Sequence, residues 1–338
     1  MHRVTYIPGD GIGPEVVAAA IQVIDATGVP IEWEEAPGGQ VAIPEYGSPV
    51  PAVTLESIRR NKVALKGPFT NVVGKGFRSP NMTLRKELDL YANIRLAKLY
   101  PGVKSRFCKV DLVVIREAME DTFQGVEQMV GEDAAVAIKF VTRRGSERIA
   151  RFAFEFARRE GRRKITLLHK ANILKLTDGM FLRVSQEIAE RYPDIEFEER
   201  MVDNMCMQLV IRPEEYDVLL MPNVYGDLIM DMAAGLAGGL GMGPGGNYGD
   251  DIAVFESVHG SVPKYTGLDR VNPCAMILTG ALMLRQLGEK AAADRVESAV
   301  GEVVREGVHV TRDLGGSAGT REMAEAIAEY VRKLGGGA

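Results

Sequence analysis

The chain has 338 residues and a formal net charge of −5 at pH 7, with 46% hydrophobic and 26% charged residues. This length and composition are typical of a globular enzyme with two domains or one large α/β unit. The acidic balance argues against nucleic acid and membrane surfaces as partners, and no apolar run is long enough for a transmembrane helix.

The cysteines and the N-terminus both bear on the expected compartment. The three cysteines, Cys108, Cys206 and Cys274, have no CxxC spacing, which argues against a disulfide scaffold or a zinc site. The N-terminus enters a strand-like run without a signal-peptide pattern. We therefore expect a reducing, cytoplasmic location.

Short apolar runs alternate with segments of helical periodicity along the chain. The predicted strands are residues 4–7, 110–115, 135–141, 165–168 and 217–221, and the predicted helices are residues 14–26, 146–160, 178–192 and 227–240. This alternation predicts an α/β fold with much parallel sheet.

Two stretches are rich in glycine. Gly9-Asp-Gly-Ile-Gly-Pro-Glu15 follows the first predicted strand and resembles a phosphate-binding loop, although its spacing is not G-x-G-x-x-G. Pro14 in the first turn of a helix explains part of that pattern structurally. Residues 238–249 are consistent with a hinge, a domain crossover or a ligand loop.

Polar side chains follow three of the predicted strands. Arg116, Lys170 and Asn223 each come within two residues of the end of such a run. Because ligands of open α/β sheets bind beyond the carboxyl ends of strands, these residues predict one polar site. The competing explanation is that loops after strands are commonly polar.

Asp227 and Asp231 lie one helical turn apart, the second within an apolar run. Residues at this spacing share one helix face, so both carboxylates can address one ion. An unpaired buried charge is costly and is normally neutralised, and oxygen ligands favour Mg²⁺ or Mn²⁺. The alternative is a helix-start aspartate beside a salt-bridged neighbour.

Cationic residues complete the candidate site. Arg85, Arg95 and Arg116 carry planar forks that suit carboxylates, and several of them together imply a substrate with more than one carboxylate. Taken singly, each is more often a surface or ion-paired arginine. Lys170, if held near other cations or partly buried, suits proton transfer, whereas a solvated lysine is the alternative.

Five motifs together resemble the β-decarboxylating dehydrogenases, which act on isocitrate, 3-isopropylmalate or homoisocitrate. They are Leu65-Lys-Gly-Pro68, Asp89-Leu-Tyr-Ala-Asn-Ile-Arg95, His169-Lys-Ala-Asn172, Tyr225-Gly-Asp-Leu-Ile-Met-Asp231 and Glu256-Ser-Val-His-Gly260. The resemblance extends from Ile7 to Gly316 and is strongest to isocitrate dehydrogenases.

The resemblance implies a two-domain α/β fold with a parallel or mixed sheet, and not a standard Rossmann domain. Residues 1–90 and 238–338 would form the large, cofactor-side domain. Residues 91–237 would form the small domain, with the dimer interface and the metal and catalytic residues. The expected assembly is a homodimer with shared active sites, and higher or hetero-oligomers stay open.

The resemblance also assigns the site residues. The substrate, a small polycarboxylate, is expected to contact Ser79, Asn81, Arg85, Arg95 and Arg116. The metal ligands are expected to be Asp203, Asp227 and Asp231, with Asp203 and Lys170 reaching in from the partner. Lys170 and Asp203 are the expected catalytic pair, and Lys170 would assist removal of the hydroxyl proton. The cofactor is expected to contact Lys66, Thr70, Asn172, His259, Gly260, Ser261, Lys264, Tyr265, Asn272, Arg312 and Asp313.

Three positions bear on the substrate. Ser79 and Asn81 suit a third carboxylate, whereas isopropylmalate enzymes use apolar residues there. Homoisocitrate enzymes carry an arginine where this chain has Met82. The expected substrate is therefore isocitrate or a close analogue.

The cofactor prediction depends on a pair of residues near the C-terminal third of the chain. Lys264 and Tyr265 form the pair seen in NADP-type enzymes, whereas NAD-type members have an aspartate at the first position. Arg312 would add a second positive contact. NADP is therefore expected, with NAD as the alternative.

The chain departs from the family pattern after Arg116. Phe123 replaces a tyrosine that helps protonate the enol, and Ala118 replaces a usual asparagine. Phenylalanine cannot donate a proton, so a rate deficit of about 10²–10⁴-fold or a substitute donor is expected. These departures keep two alternatives open: a non-catalytic regulatory subunit that binds isocitrate, and an isopropylmalate- or homoisocitrate-type enzyme.

Overall fold

The computed structural model describes residues 1–70 and 79–336. The strands are β1 (His2–Ile7), β2 (Ile31–Glu35), β3 (Val63–Lys66), β4 (Ala92–Lys98), β5 (Asp111–Glu117), β6 (Glu127–Val130), β7 (Ala134–Ala137), β8 (Lys164–His169), β9 (Glu196–Met201), β10 (Val218–Met221), β11 (Gly245–Tyr248) and β12 (Ala253–Glu256). The helices are α1 (Gly13–Asp25), α2 (Ile43–Tyr46), α3 (Ala52–Asn61), α4 (Pro80–Glu87), α5 (Arg143–Arg159), α6 (Thr177–Ala189), α7 (Val202–Ile211), α8 (Asn223–Leu236), α9 (Cys274–Gln286), α10 (Lys290–Glu306) and α11 (Thr320–Gly335).

One large sheet organises the described chain, with strand order β2-β1-β3-β12-β11-β4-β5-β10-β8-β9. The four strands at each end run parallel within their group, whereas β11 and β4 are antiparallel to each other and to their neighbours. The mixed, mostly parallel α/β architecture predicted from the sequence is confirmed. The glycine-rich stretch 238–249 contains β11, so part of it is a central strand of the sheet.

Helices cover both faces of the sheet. On β5, Val113 and Ile115 belong to the core beneath α1, α5, α6, α9, α10 and α11, which we call the first face. Leu112 and Val114 pack with α7 and α8 on the second face, which α3 and α4 also cover. This alternation follows from the pleat, which sends successive side chains to opposite sides.

Most predicted elements occur within a few residues of their expected bounds, with two corrections. The predicted buried strand 135–141 is instead β7, which pairs with β6 in a separate hairpin whose residues are all exposed. The last predicted helix begins at Asn223, and it ends at Leu236 before the glycines. No helix in the described ranges is long and apolar enough to cross a membrane. The boundaries predicted for two domains stay a prediction.

Candidate active site

A row of polar side chains crosses the second face of the sheet on five adjacent strands. Lys66, Glu256, Asn247, Arg95 and Arg116 lie on β3, β12, β11, β4 and β5 in that order. Along each strand, the polar residue alternates with residues of the first-face core. The pleat therefore directs all five side chains to the second face, where α4 and α8 lie. The sheet thus gathers residues that are far apart in the sequence.

Glu256 is the centre of a buried charge cluster. Its carboxylate lies 2.8 Å from Lys66 Nζ, 3.3 Å from Arg95 Nη2 and 3.4 Å from Arg85 Nη2. Asn247 Nδ2 donates to the same carboxylate at 2.9 Å. Burial alone would raise the pKa of Glu256, but Lys66 and the two arginines hold it well below its usual range. One buried carboxylate therefore faces three cations, and positive charge remains for an anionic ligand.

Lys66 lies deeper in this cluster than a cofactor contact requires. Its side chain is 1% exposed, and Nζ is also 4.1 Å from the centroid of the Phe69 ring. The geometry favours a role in holding Glu256 and the arginines in place. Sequence analysis missed Glu256 and Asn247 as site residues, although Glu256 opens one of the five motifs.

Arg116, at the end of β5, is almost fully buried and only partly satisfied. Its Nε donates to Asn223 Oδ1 at 2.8 Å, and Nη1 donates to the Asp227 carboxylate. Its Nη2 is buried without a hydrogen-bond partner among the described residues. Burial, with a smaller contribution from Arg85, lowers the pKa of Arg116 to about 10, so it remains a cation at neutral pH.

Two glycines make room for these guanidinium groups. A Cβ at Gly226 would lie 2.5 Å from Arg116 Cγ, and one at Gly245 would lie 2.1 Å from Arg95 Nη1. Real Cβ atoms do not approach other atoms so closely, so any larger residue would displace an arginine. This explains the glycine in the Tyr-Gly-Asp segment of α8.

Phe123 lies against Arg116 at the edge of a cavity of about 380 Å³. The ring centroid is 4.7 Å from Arg116 Cζ. The cavity is also lined by Ser79, Met82, Met119, Thr83, Lys86, Glu87, Gln124 and Gly125. Asn81 is on the same helix as Thr83, and its Oδ1 is buried without a partner among the described residues. Sequence analysis missed Thr83, Lys86 and Met119.

Asp227 and Asp231 share α8 at the predicted spacing, but the premise that the second is buried is wrong. Both residues are exposed in the single chain. Asp227 is paired with Arg116, whereas Asp231 is close enough to Arg95 to affect its pKa. Within the described residues, no three acidic, histidine or cysteine side chains are close enough to hold a metal. Two adjacent carboxylates offer oxygen donors that fit Mg²⁺ or Mn²⁺, and further ligands must come from elsewhere.

Lys170 and Asp203 form a pair of their own. Lys170 Nζ is 2.6 Å from the Asp203 carboxylate, and this hydrogen bond lowers the pKa of Asp203. No hydrogen bond or ion pair connects this pair to Asp227 or Asp231 in the described chain. The arrangement is compatible with both residues reaching the site of a second subunit.

A buried network connects the Lys170 loop to α8. Asp178 is fully buried and accepts hydrogen bonds from the Lys170 backbone N–H at 2.7 Å and from the Tyr225 hydroxyl at 2.9 Å. Lys139 Nζ neutralises it at 2.6 Å. Sequence analysis did not select Asp178 or Lys139, because nothing in their local sequence marks them as buried.

Five of the expected cofactor residues line a second cavity of about 310 Å³. They are His259, Tyr265, Asn272, Arg312 and Asp313. The wall also contains residues that were not predicted from the sequence, among them Arg270, Ile12 and Gly241. Nε2 of His259 is buried without a partner in the described chain, and burial lowers the pKa of this histidine. An orphaned polar atom in a cavity fits a bound polar ligand.

Lys264, Thr70 and Ser261 lie next to residues of that cavity, whereas no contact in the described chain places Asn172 there. Lys264 Nζ is 5.0 Å from the Tyr265 ring centroid, next to the cavity wall. Thr70 Oγ1 and Ser261 Oγ are 2.7 Å apart, and Gly260 is exposed beside them. Asn172 is exposed in the loop after β8.

The glycine loop after β1 is closed against protein atoms. Asp10 N–H donates to the Pro68 carbonyl at 2.8 Å, and Ile12 N–H donates to the Ser261 carbonyl at 2.9 Å. Because these amides already have partners, the loop does not present them as a phosphate cradle. Its role is to pack α1 against the cofactor-side segment.

Comparisons with known proteins agree with this geometry. The family model described as isocitrate/isopropylmalate dehydrogenase matches residues 3–327. The chain is 47% identical to the mitochondrial isocitrate dehydrogenase [NAD] catalytic subunit 5 of Arabidopsis thaliana, over 97% of this chain and 88% of that one. It is also 47% identical to the chloroplastic 3-isopropylmalate dehydrogenase of Solanum tuberosum, over 88% and 84%. The crystal structure of isocitrate dehydrogenase from Methylococcus capsulatus superposes with a TM-score of 0.94 at 51% identity, covering 98% of this chain and all of that one.

Proposed function

The chain belongs to the isocitrate/isopropylmalate dehydrogenase family, and from that premise we propose that it catalyses oxidative decarboxylation of isocitrate to 2-oxoglutarate with NADP. The observation that carries the proposal is the buried Nη2 of Arg116, which has no hydrogen-bond partner among the described residues and lies beside the Arg85 and Arg95 cluster. A buried donor without an acceptor is costly, so the site is built for a ligand that supplies one. Three arginines at one place suit a polycarboxylate.

The residues beyond the arginines favour isocitrate over 3-isopropylmalate. The cavity beside Phe123 contains Ser79, Thr83 and Lys86, which suit a third carboxylate better than a branched alkyl group. Met82 and Met119 leave part of the wall apolar, and this keeps a 3-alkyl substrate as the second candidate.

Asp227 and Asp231 of one subunit, with Asp203 of the partner, would hold Mg²⁺ or Mn²⁺. Such an ion supplies Lewis-acid polarisation of the substrate hydroxyl. Arg116 would exchange its contact with the Asp227 carboxylate for a substrate carboxylate. Lys170, held by the Asp178 network, would take the hydroxyl proton.

The cofactor cavity supports NADP through its cations. Arg270 and Arg312 line the cavity, and Lys264 lies beside Tyr265 of its wall; a 2′-phosphate needs such charges. The curated relative from Arabidopsis thaliana is NAD-dependent by name, so NAD is the alternative. That relative is also mitochondrial by name, whereas the cytoplasmic location predicted for this chain stays a proposal.

We propose a homodimer as the working unit, with hetero-oligomers as the alternative. The pair Lys170–Asp203 lies beside exposed apolar residues of α7, and β6–β7 is an exposed apolar hairpin. A second copy of the chain would cover these surfaces and supply the pair to its partner.

A non-catalytic regulatory subunit is the competing function, because Phe123 removes a phenol. Retention of Lys170, Asp203, Asp227 and Asp231 argues against it, since a chain that only binds isocitrate has little need of them.

Direct binding and cofactor kinetics test the proposal. Calorimetry should show that isocitrate binds more tightly than 3-isopropylmalate, and that Arg116→Gln weakens isocitrate by at least about tenfold. Wild type should prefer NADP in kcat/KM, and Lys264→Asp with Tyr265→Ile should shift the preference towards NAD. A wild-type preference for NAD would refute the cofactor assignment, and tighter 3-isopropylmalate binding would refute the substrate assignment.

A further inference from the structure

A cavity of about 210 Å³ lies on the first face of the sheet, behind the substrate site. Its floor includes Leu96 of β4 and Val113 of β5, and its walls are Phe156 of α5 and Leu278 and Leu282 of α9. Leu96 directly follows Arg95, which points to the second face. The cavity and the substrate site therefore share strands but open on opposite sides.

The inner wall of the cavity is apolar, whereas charged side chains line its outer, open part, and one hydroxyl in the cavity has no hydrogen bond within the described chain. Val113, Phe156 and Leu278 are at most 2% exposed. Tyr100 is 7% exposed and lines the same cavity, yet its hydroxyl makes no hydrogen bond within the described chain. Burial raises the pKa of Tyr100 well above its usual value, so the hydroxyl keeps its proton and can donate it.

The charges around the mouth are mostly paired, with one exception. Arg162 is paired with Asp111 and Asp217, and Arg285 with Glu297. Lys290, at the start of α10, lines the cavity, is exposed and has no ion-pair partner in the described part of the chain. An acceptor placed between Tyr100 and Lys290 would satisfy both groups.

We propose that this cavity binds a small carboxylate with a compact apolar body, such as an aromatic or branched monocarboxylate. An apolar cavity of about 150 Å³ is known to accept benzene, so this one has room for a ring and a carboxylate. The apolar body would contact Leu96, Leu278 and Leu282, while the carboxylate would accept hydrogen bonds from Tyr100 and Lys290.

The position of the cavity also links its ligand to the substrate site. The walls come from α5 on one side and from α9 and α10 on the other, across the antiparallel strands β4 and β11. The Lys98–Glu297 ion pair of 3.8 Å joins β4 to α10 at this cavity. The cavity and the second-face cleft share β4, because Leu96 lines the cavity and Arg95 pairs with Glu256 on the opposite side. We infer that occupancy alters isocitrate affinity, and this coupling rests on the proposed function, whereas the binding site does not.

The binding site is tested with benzoate as the probe on the intact protein, by calorimetry or ligand-observed NMR. Acetate lacks the apolar body and benzyl alcohol lacks the charge, so both should bind at least about tenfold more weakly than benzoate. Equal binding of the three compounds, or no saturable benzoate binding at millimolar concentrations, would overturn the site.

Variants locate the binding. Tyr100→Phe and Lys290→Gln should each weaken benzoate by roughly 3- to 10-fold, the usual effect of one hydrogen bond. Leu282→Trp should abolish binding by filling the cavity, and the first two variants keep the test valid if that protein does not fold. Lys333→Gln, an exposed lysine on α11, is the control and should bind like wild type. Wild-type affinity in both Tyr100→Phe and Lys290→Gln would overturn the assignment.

The coupling is tested by measuring the dissociation constant of isocitrate with and without saturating benzoate. A change of at least about threefold that Leu282→Trp or Lys290→Gln removes is expected. An unchanged constant, with benzoate bound, would overturn the coupling. Because benzoate binding is measured without turnover, failure of the site is distinguishable from failure of the proposed function.

Discussion

At the scale of single residues, Phe123 is the position where this chain and its family pattern differ most consequentially. The ring lies against Arg116 and lines the cavity beside it, where a phenol would be in reach of a ligand bound there. Substrate binding and hydride transfer need no phenol. The absence of the phenol therefore affects only the protonation of the enolate that remains after loss of CO₂.

We predict that Phe123→Tyr raises kcat for isocitrate with little change in KM. A positioned general acid contributes about 10²–10⁴-fold, and a substitute donor already present would reduce the gain. Steady-state kinetics of the two proteins measure this. Met119→Leu, in the same cavity wall, is the control for altered packing. A lower kcat in the tyrosine variant would show that the phenylalanine suits a different substrate or donor.

Glu117, beside Arg116, gives the protein a stability that depends on pH. Burial raises the pKa of Glu117 to about 7, although backbone N–H groups of Glu120 and Met119 oppose the shift. A carboxyl group whose pKa is raised in the folded state stabilises the folded protein fully at pH values below its unfolded pKa of about 4.3. This stabilisation is lost as the pH rises through the folded-state pKa. Glu117 should therefore favour the folded state at pH 5 more than at pH 8.

The prediction is that Glu117→Gln removes this dependence. From pH 4 to pH 8, the free energy of unfolding of the wild type should fall by about 3 kcal/mol relative to that of the variant. The variant is therefore favoured at the higher pH. Urea unfolding across that range measures it. Parallel pH profiles for the two proteins would contradict the assignment.

The sequence indicated Arg85, Arg95 and Arg116 because their side-chain chemistry is visible without a fold. It did not indicate that Glu256 joins two of them, because that contact depends on β12 and β4 being separated by one strand. The prediction that Asp231 is buried was wrong. It was based on apolar neighbours in the sequence, but such neighbours in a helix can lie on the helix face opposite the carboxylate.

At the scale of elements, α8 presents two carboxylates while several of its apolar residues pack on the sheet. Ile229, Met230 and Ala233 are buried, and Asp227 and Asp231 are exposed one turn apart. The 3.6-residue period that predicted this helix also separates its buried face from its acidic face.

We predict that Asp231→Asn sharply reduces turnover dependent on Mg²⁺ or Mn²⁺ and leaves the fold intact, because an exposed carboxylate contributes little to packing. Circular dichroism and metal titrations of activity test this. Glu329→Gln on α11 is the matched control at an exposed acidic position. Full activity of wild type in EDTA would refute the metal requirement.

Periodicity predicted the long elements well and the hairpin β6–β7 poorly. The segment 135–141 is apolar because of Val136, Ile138 and Phe140, which are exposed in the single chain. A short apolar run has the same sequence pattern whether its side chains face the core of the protein or a partner chain. The sequence therefore could not distinguish a buried strand from an exposed one.

At the scale of the whole molecule, the exposed apolar surface of α7 predicts that a second copy of the chain binds there. Met207 and Val210 follow Asp203 at helical spacing on α7, and they are 48% and 59% exposed. A monomer would leave this stripe in water, whereas a dimer would bury it and bring Asp203 to the partner's site.

We predict that Val210→Glu shifts the protein towards monomer and lowers kcat more than tenfold, because Lys170 and Asp203 then lose the partner's site. Analytical ultracentrifugation and kinetics test this together. Val308→Glu, 66% exposed in a turn, is the control and should remain dimeric. A fully active monomer of wild type would refute the shared site.

The most direct test of the whole account is a steady-state assay of the purified protein with isocitrate, NADP and Mg²⁺, repeated with 3-isopropylmalate and with EDTA. We predict NADPH formation that requires both isocitrate and the metal and is slower with 3-isopropylmalate. Faster turnover of 3-isopropylmalate, or isocitrate binding without turnover under any condition, would contradict it.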